Sequence, residues 1–176
     1  MDCRLYPAGR SGWSTFLARC RGFVLKYEAE GGPSARSIVD LLREHSRSAE
    51  EDVDVLVQAL ILNWLIGGTD AHAKNYSVLI GEEGRARLAP LYDVASALPY
   101  GETAMQKLKL AMKVGGKYRL HDIGPHQWAK LATELQLETD RVMEHLRRAR
   151  PTFSAIAPLR SSLAPARFLN DPTADA

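Results

Sequence analysis

The stretch that decides the fold reads Ile61-Leu62-Asn63-Trp64-Leu65-Ile66-Gly67-Gly68-Thr69-Asp70-Ala71-His72-Ala73-Lys74-Asn75-Tyr76-Ser77-Val78-Leu79-Ile80. An apolar helical run stops at a glycine pair, a dense polar loop follows, and a β-branched, aromatic strand begins. Upstream, Val53, Leu56, Val57, Leu60, Ile61, Trp64 and Leu65 form one broad apolar stripe, so the helix extends from Ser48 to Ile66. Ser48 with Glu51 three residues later reads as a capping box, and Gly67 supplies the carboxy-terminal stop. Downstream, Tyr76 to Ile80 and Arg85 to Ala89 read as two strands joined by Gly81-Glu82-Glu83-Gly84, a hairpin. Such a hairpin holds Asn75 at its entry and Asp93 just past its exit, so two residues distant in sequence come close in space.

The polar loop carries Asp70 and, five residues on, Asn75. This is the D-x-x-x-x-N spacing of a kinase catalytic loop, in which the Asp takes the hydroxyl proton and the Asn holds magnesium. Asp93, in Leu91-Tyr92-Asp93, follows a short strand, where kinases keep a second metal-binding acid. Metal-assisted phosphoryl transfer needs few protein groups: a base, and oxygen ligands that hold Mg²⁺ on the phosphates. Taken alone, an Asp after two glycines is equally a turn residue.

The neighbouring motifs decide between these readings. Gly68-Thr69-Asp70-Ala71-His72-Ala73-Lys74-Asn75 with Leu88-Ala89-Pro90-Leu91-Tyr92-Asp93 resembles the signature of HipA, the serine/threonine kinase toxin family of bacterial toxin–antitoxin pairs. The likeness continues through Tyr27-Glu28-Ala29-Glu30-Gly31-Gly32-Pro33-Ser34 and Leu108-Lys109-Leu110-Ala111-Met112, covering roughly residues 25 to 160. It implies a mainly α fold with a small β-hairpin, like the carboxy-terminal lobe of a protein kinase in its HipA variant. It also implies Asp70 as general base, Asn75 and Asp93 as ligands of Mg²⁺ bound with ATP, and His72 as an orienting partner in the catalytic loop. Lys74 would stabilise charge on the transferred phosphate; a solvated loop lysine is the plainer alternative. The implied substrate is a protein Ser or Thr hydroxyl, and the family's targets include aminoacyl-tRNA synthetases. The implied partner is a HipB-like antitoxin, with DNA reached only indirectly through such a complex. The family's nucleotide-covering amino-terminal lobe has no counterpart in these residues, so the expected chain is truncated and weak or inactive alone. A non-catalytic remnant or binding module, or half of a split kinase whose other lobe is a separate chain, are the competing expectations.

The rest of the chain frames this site. Its 176 residues suffice for one domain with a sizeable core, and a hydrophobic fraction of 45% is ordinary. A net charge of +2 does not by itself argue for nucleic acid. Cys3 and Cys20 have no metal-ligand spacing and form no disulfide framework, which suits a reducing cytoplasm. No run approaches a membrane span. Residues 1–24 read as a leader without family likeness, or a segment altered by truncation or a shifted reading frame. Within it Trp13, Phe16, Leu17 and Cys20 suit a short amphipathic helix. The kinase-lobe domain is expected over 25–164, and 165–176 as a disordered tail.

Ser34 caps a helix to about His45, Lys117 to Leu120 suits a strand, and Pro125 opens a helix to about Leu135. Thr139 caps another to Ala149, and Phe153 to Leu163 suits a further helix interrupted near Pro158. Trp64 and Tyr92 read as core aromatics. A zinc site at His72 with Asp70 and Asp93 lacks a second well-placed His. Phe23-Val24-Leu25-Lys26 is like the V-A-I-K strand of kinases, but no G-x-G-x-x-G precedes it, so Lys26 reads as structural or exposed. Lys107, Lys109, Lys113, Lys117 and Arg119, with Arg147, Arg148 and Arg150, lie among acids and read as a mixed solvated surface rather than a nucleic-acid face.

Overall fold

The computed structural model describes residues 14–17, 25–81, 86–100 and 107–160. Helix α1 (Ala35–His45) opens at Ser34, whose side chain accepts a hydrogen bond from the Ser37 amide, so the expected cap forms. Helix α2 (Ala49–Ile66) is the central element, packed against α1 and against α4 (Thr139–Arg160). Its stripe is buried as expected: Val53, Leu56, Val57, Leu60, Ile61, Trp64 and Leu65 are all in the core. Trp64 meets Trp128 of α3 (Pro125–Leu135) edge to face at 5.8 Å, and its indole N–H donates to the Leu120 carbonyl at 3.2 Å. Edge-to-face packing is a favoured arrangement of two large indoles, although Trp128 Nε1 has no partner among the described residues.

The hairpin forms as expected from β2 (Ser77–Ile80) and β3 (Ala86–Leu88), paired antiparallel with Val78 opposite Leu88. A second antiparallel pair joins β4 (Lys109–Val114) to β5 (Lys117–Arg119). Asp52 ties α2 to the hairpin. Its carboxylate is 2% exposed and accepts from Ser46 Oγ, Arg87 Nε and the Leu88 amide. Three donors satisfy a charge that would otherwise be costly to bury.

Several expectations need correction. Ser14–Leu17 is a strand, β1, antiparallel to β2, and not part of a helix; Trp13 and Cys20 lie outside the described residues. Thr15 and Phe16 suit a pleated strand, and the edge of β2 offers the backbone partners a short helix would lack. The capping box does not form. Ser48 makes no side-chain cap bond; Ser46 Oγ accepts from the Ser48 amide, and Glu51 pairs with Arg87. Helix α4 runs unbroken through Pro151 to Arg160, where two helices were expected. Each proline withholds one amide from the ladder, a cost of about 3 kcal/mol, and the exposed position of Pro151 lets water reach the freed carbonyl. The expected tail, 165–176, lies outside the described residues.

Candidate active site

The site begins where α2 ends. Gly67 adopts φ 66° and its N–H bonds back to the Asn63 carbonyl, closing the helix in the left-handed conformation that glycine takes most easily. The Gly67 carbonyl then accepts from the Ala97 amide, and the Ile66 carbonyl accepts from Ser96 Oγ. Both segments that carry site residues are thus tied to one helix end.

From Gly68 the loop turns through its own backbone. The His72 amide donates to the Asp70 carbonyl at 2.8 Å, and the Asn75 amide to the His72 carbonyl at 2.9 Å. A single turn of tight helix, Ala73–Asn75, hands the chain to β2. Asn75 is buried, and both hydrogens of its side-chain amide are committed: one to the Asp70 carbonyl at 3.1 Å, the other to Asp93 Oδ2 at 3.2 Å. This contact joins the two ends of the hairpin, so the expected proximity of Asn75 and Asp93 is realised. Asp93 takes a left-handed backbone, φ 55°, which an Asp tolerates better than most residues.

These bonds use the Asn75 amide nitrogen, so among the described residues Asn75 Oδ1 and Asp93 Oδ1 are left as hard oxygen acceptors. That donor set fits Mg²⁺, which is held by one or two protein oxygens together with substrate phosphates. It does not fit zinc. Among the described residues no group of three or more His, Cys, Asp or Glu is arranged to hold a metal.

Asp70 stands at the loop tip with its side chain 59% exposed. Tyr27 Oη donates to its Oδ1 at 2.5 Å, Lys26 Nζ lies 3.4 Å from the same oxygen, and His72 Nε2 3.9 Å. The Tyr27 hydroxyl holds the Asp70 carboxyl below the usual carboxylate range; partial burial opposes this, and Lys26 and His72 add to the lowering. Asp70 is therefore ionised, and its side chain is open to solvent. His72 is buried, its ring edge-on to Tyr27 at 5.7 Å, and its Nδ1 has no partner among the described residues.

Lys74 is exposed; its carbonyl accepts from Tyr92 Oη at 2.5 Å, and Ser77 Oγ is 2.7 Å from the same hydroxyl. Tyr92 is 40% exposed and so is not the core aromatic expected; it braces the loop through its hydroxyl. Lys26, read as structural or exposed, is 41% exposed and stands beside Asp70. Tyr27 was missed as a site residue. The one signal for it was its place in the Tyr27-Glu28-Ala29-Glu30-Gly31-Gly32 motif. The basic residues are in part paired, Lys113 with Glu28 and Arg147 with Glu144, which suits a mixed surface.

Residues 16–156 match the family model described as HipA-like C-terminal domain. A protein named "Putative kinase Y4mE" from Sinorhizobium fredii is 37% identical over 109 residues, 62% of this chain and 25% of the relative. "Putative kinase Y4dM" from the same organism is 27% identical over 107 residues, 60% of this chain and 25% of that protein. The chain thus spans about a quarter of the length of these relatives. Among solved structures, HipA in a complex with HipB and operator DNA from Shewanella oneidensis shares the fold, with a TM-score of 0.60 and 24% identity. The superposition covers 82% of this chain and 32% of the other. On the family match across most of its length, the chain belongs to the HipA-like C-terminal domain family.

Proposed function

We propose that these residues form the catalytic half of an ATP-dependent protein kinase that phosphorylates a Ser or Thr hydroxyl. The observation that carries this reading is the Asn75–Asp93 contact at 3.2 Å, one turn of loop away from an exposed, ionised Asp70. In it Asp70 would accept the proton of the attacking hydroxyl, and Asn75 Oδ1 with an Asp93 oxygen would hold Mg²⁺. The metal, when bound with ATP, neutralises charge that builds on the phosphate oxygens. Two protein oxygens are too few to retain magnesium tightly, so Asn75 and Asp93 would hold it together with phosphate oxygens of the nucleotide. Lys74 is exposed one residue before Asn75, where it can reach a phosphate oxygen. His72 supports the loop from within its buried side.

Nothing among these 176 residues has the G-x-G-x-x-G pattern that covers a nucleotide in protein kinases. The reading therefore includes a second, nucleotide-gripping lobe acting with this one, in the same polypeptide or as a separate chain. The Shewanella complex contains HipB and operator DNA. By that likeness we include a HipB-like antitoxin as a partner, with DNA reached through it.

The test is incorporation of labelled phosphate into a Ser- or Thr-containing protein. The chain alone is compared with the chain supplied with the amino-terminal portion of the Sinorhizobium relative, fused or separate. Transfer near background alone and a clear rise on supply is the expected pattern. No transfer in either form would leave a binding module as the better account.

A further inference from the structure

We propose that Tyr27, seconded by Lys26, is a positioning residue that fixes the Asp70 carboxylate in one orientation, so that Oδ2 is the atom facing the acceptor hydroxyl. The inference rests on the base role proposed above for Asp70. Among the described residues, the three side chains that meet the carboxylate address one oxygen: Tyr27 Oη at 2.5 Å, Lys26 Nζ at 3.4 Å and His72 Nε2 at 3.9 Å, each to Oδ1. Oδ2 has no partner among the described residues, while the side chain as a whole is 59% exposed. An exposed Asp side chain without such contacts would exchange among χ1 rotamers and carry its carboxylate away from this position. Here the groups on one side favour one rotamer and leave the other oxygen turned outward.

The segment that delivers Tyr27 is built to hold still. Glu28, next in sequence, has a side chain only 7% exposed, and it accepts from the Lys113 amide at 2.8 Å and pairs with Lys113 Nζ at 3.2 Å. This anchors the segment to β4. On the other side the Tyr27 carbonyl accepts from the Glu30 amide at 3.1 Å and the Gly32 amide at 2.8 Å. A Cβ on Gly32 would lie 2.7 Å from that same carbonyl oxygen, so the turn closes only with glycine there. The Tyr27 ring is itself gripped, with the Lys26 ammonium 4.6 Å from its centroid and His72 edge-on at 5.7 Å. A hydroxyl placed by such a frame has no evident purpose in the fold beyond Asp70.

Orientation of a base matters because proton transfer requires a heavy-atom distance of hydrogen-bond length, and small misplacements cost orders of magnitude. Tyr27→Phe removes the hydroxyl and keeps the ring packed on His72. In the system reconstituted with the amino-terminal portion, kcat is expected to fall about 10- to 100-fold while KM for Mg-ATP stays within about twofold. The thermal midpoint should move by no more than about 3 °C. An unchanged kcat overturns the inference.

A second measurement needs no activity. Three-bond NMR couplings on the 176-residue chain report the χ1 rotamer of Asp70. One rotamer in the wild type that becomes averaged in Tyr27→Phe supports the positioning role. Averaging in both, or a single rotamer in both, overturns it. A wild-type system that transfers no phosphate removes the base role instead, and the couplings still decide whether Tyr27 holds the carboxylate.

Discussion

Gly67 and Asp93 bracket the site with left-handed backbone, at φ 66° and 55°. Gly67 also faces the Leu98 side chain, where an added Cβ would stand 2.9 Å from Cδ2. One residue thus ends the helix and admits the segment that carries Asp93. Trp64, a turn earlier, is 3% exposed and sits between Trp128 and the Leu120 carbonyl. Trp64→Ala is expected to cost roughly 3–5 kcal/mol, the usual penalty for emptying a large buried aromatic site. Chemical denaturation measures this, and a loss under about 1 kcal/mol would place Trp64 outside the core. Burial of Trp64 was legible because the apolar stripe repeats at the helical period. Exposure of Tyr92 was not, since an aromatic after a strand looks the same whether its ring fills a core or its hydroxyl braces a loop. Asp70, Asn75 and Asp93 stood out by spacing and motif. The contacts of Lys26 and Tyr27 with Asp70 did not, because they span 44 and 43 residues and depend on how a turn folds back.

At the scale of elements, α2 and the hairpin were readable because their signals are local: period, glycine stop, and a Gly-bounded turn. β1 was not, because its strand state comes from pairing with β2 about 60 residues away. The Ser48 cap failed for a similar reason: the Asp52 network organises the entry to α2 through Ser46 and the hairpin. The junction of α2 with the loop offers its own test. Tyr76 is buried with its hydroxyl accepting from Asn63 Nδ2 at 3.1 Å, and burial pushes its pKa up to about 12. In the unfolded chain that hydroxyl ionises near pH 10. Between about pH 10 and 12 the folded state therefore keeps a proton that the unfolded state loses, and stability falls as pH rises. The shift corresponds to about 2–3 kcal/mol lost across that window. Denaturant titrations at pH 9 and pH 12 should show a smaller loss in Tyr76→Phe than in the wild type. Equal losses in the two proteins would mean that the hydroxyl is not held neutral.

Across the whole molecule, one helix end gathers Asp70, the Asn75 amide and the Asp93 carboxylate, and the rest of the fold holds that end in place. The oxygen pair of Asn75 and Asp93 should give the chain weak affinity for Mg-ATP. Removing even ~4 kcal/mol of contacts to the adenine and phosphates weakens binding about a thousandfold. Calorimetry on the 176-residue chain should accordingly find dissociation constants near or above about 1 mM, with Mg-ATP binding lost in Asp93→Asn. Micromolar binding by this chain alone would show that no second lobe is needed to grip nucleotide.

The central claim is that Asp70 is the base of a phosphoryl transfer and not a turn residue. Single-turnover transfer of labelled phosphate, measured with the amino-terminal portion supplied, tests it most directly. Asp70→Asn keeps the size and the Tyr27 contact but removes the proton-accepting charge. A fall in the transfer rate of at least about 100-fold is expected, with Mg-ATP affinity within about twofold of wild type. Transfer that proceeds at the wild-type rate in Asp70→Asn would contradict it.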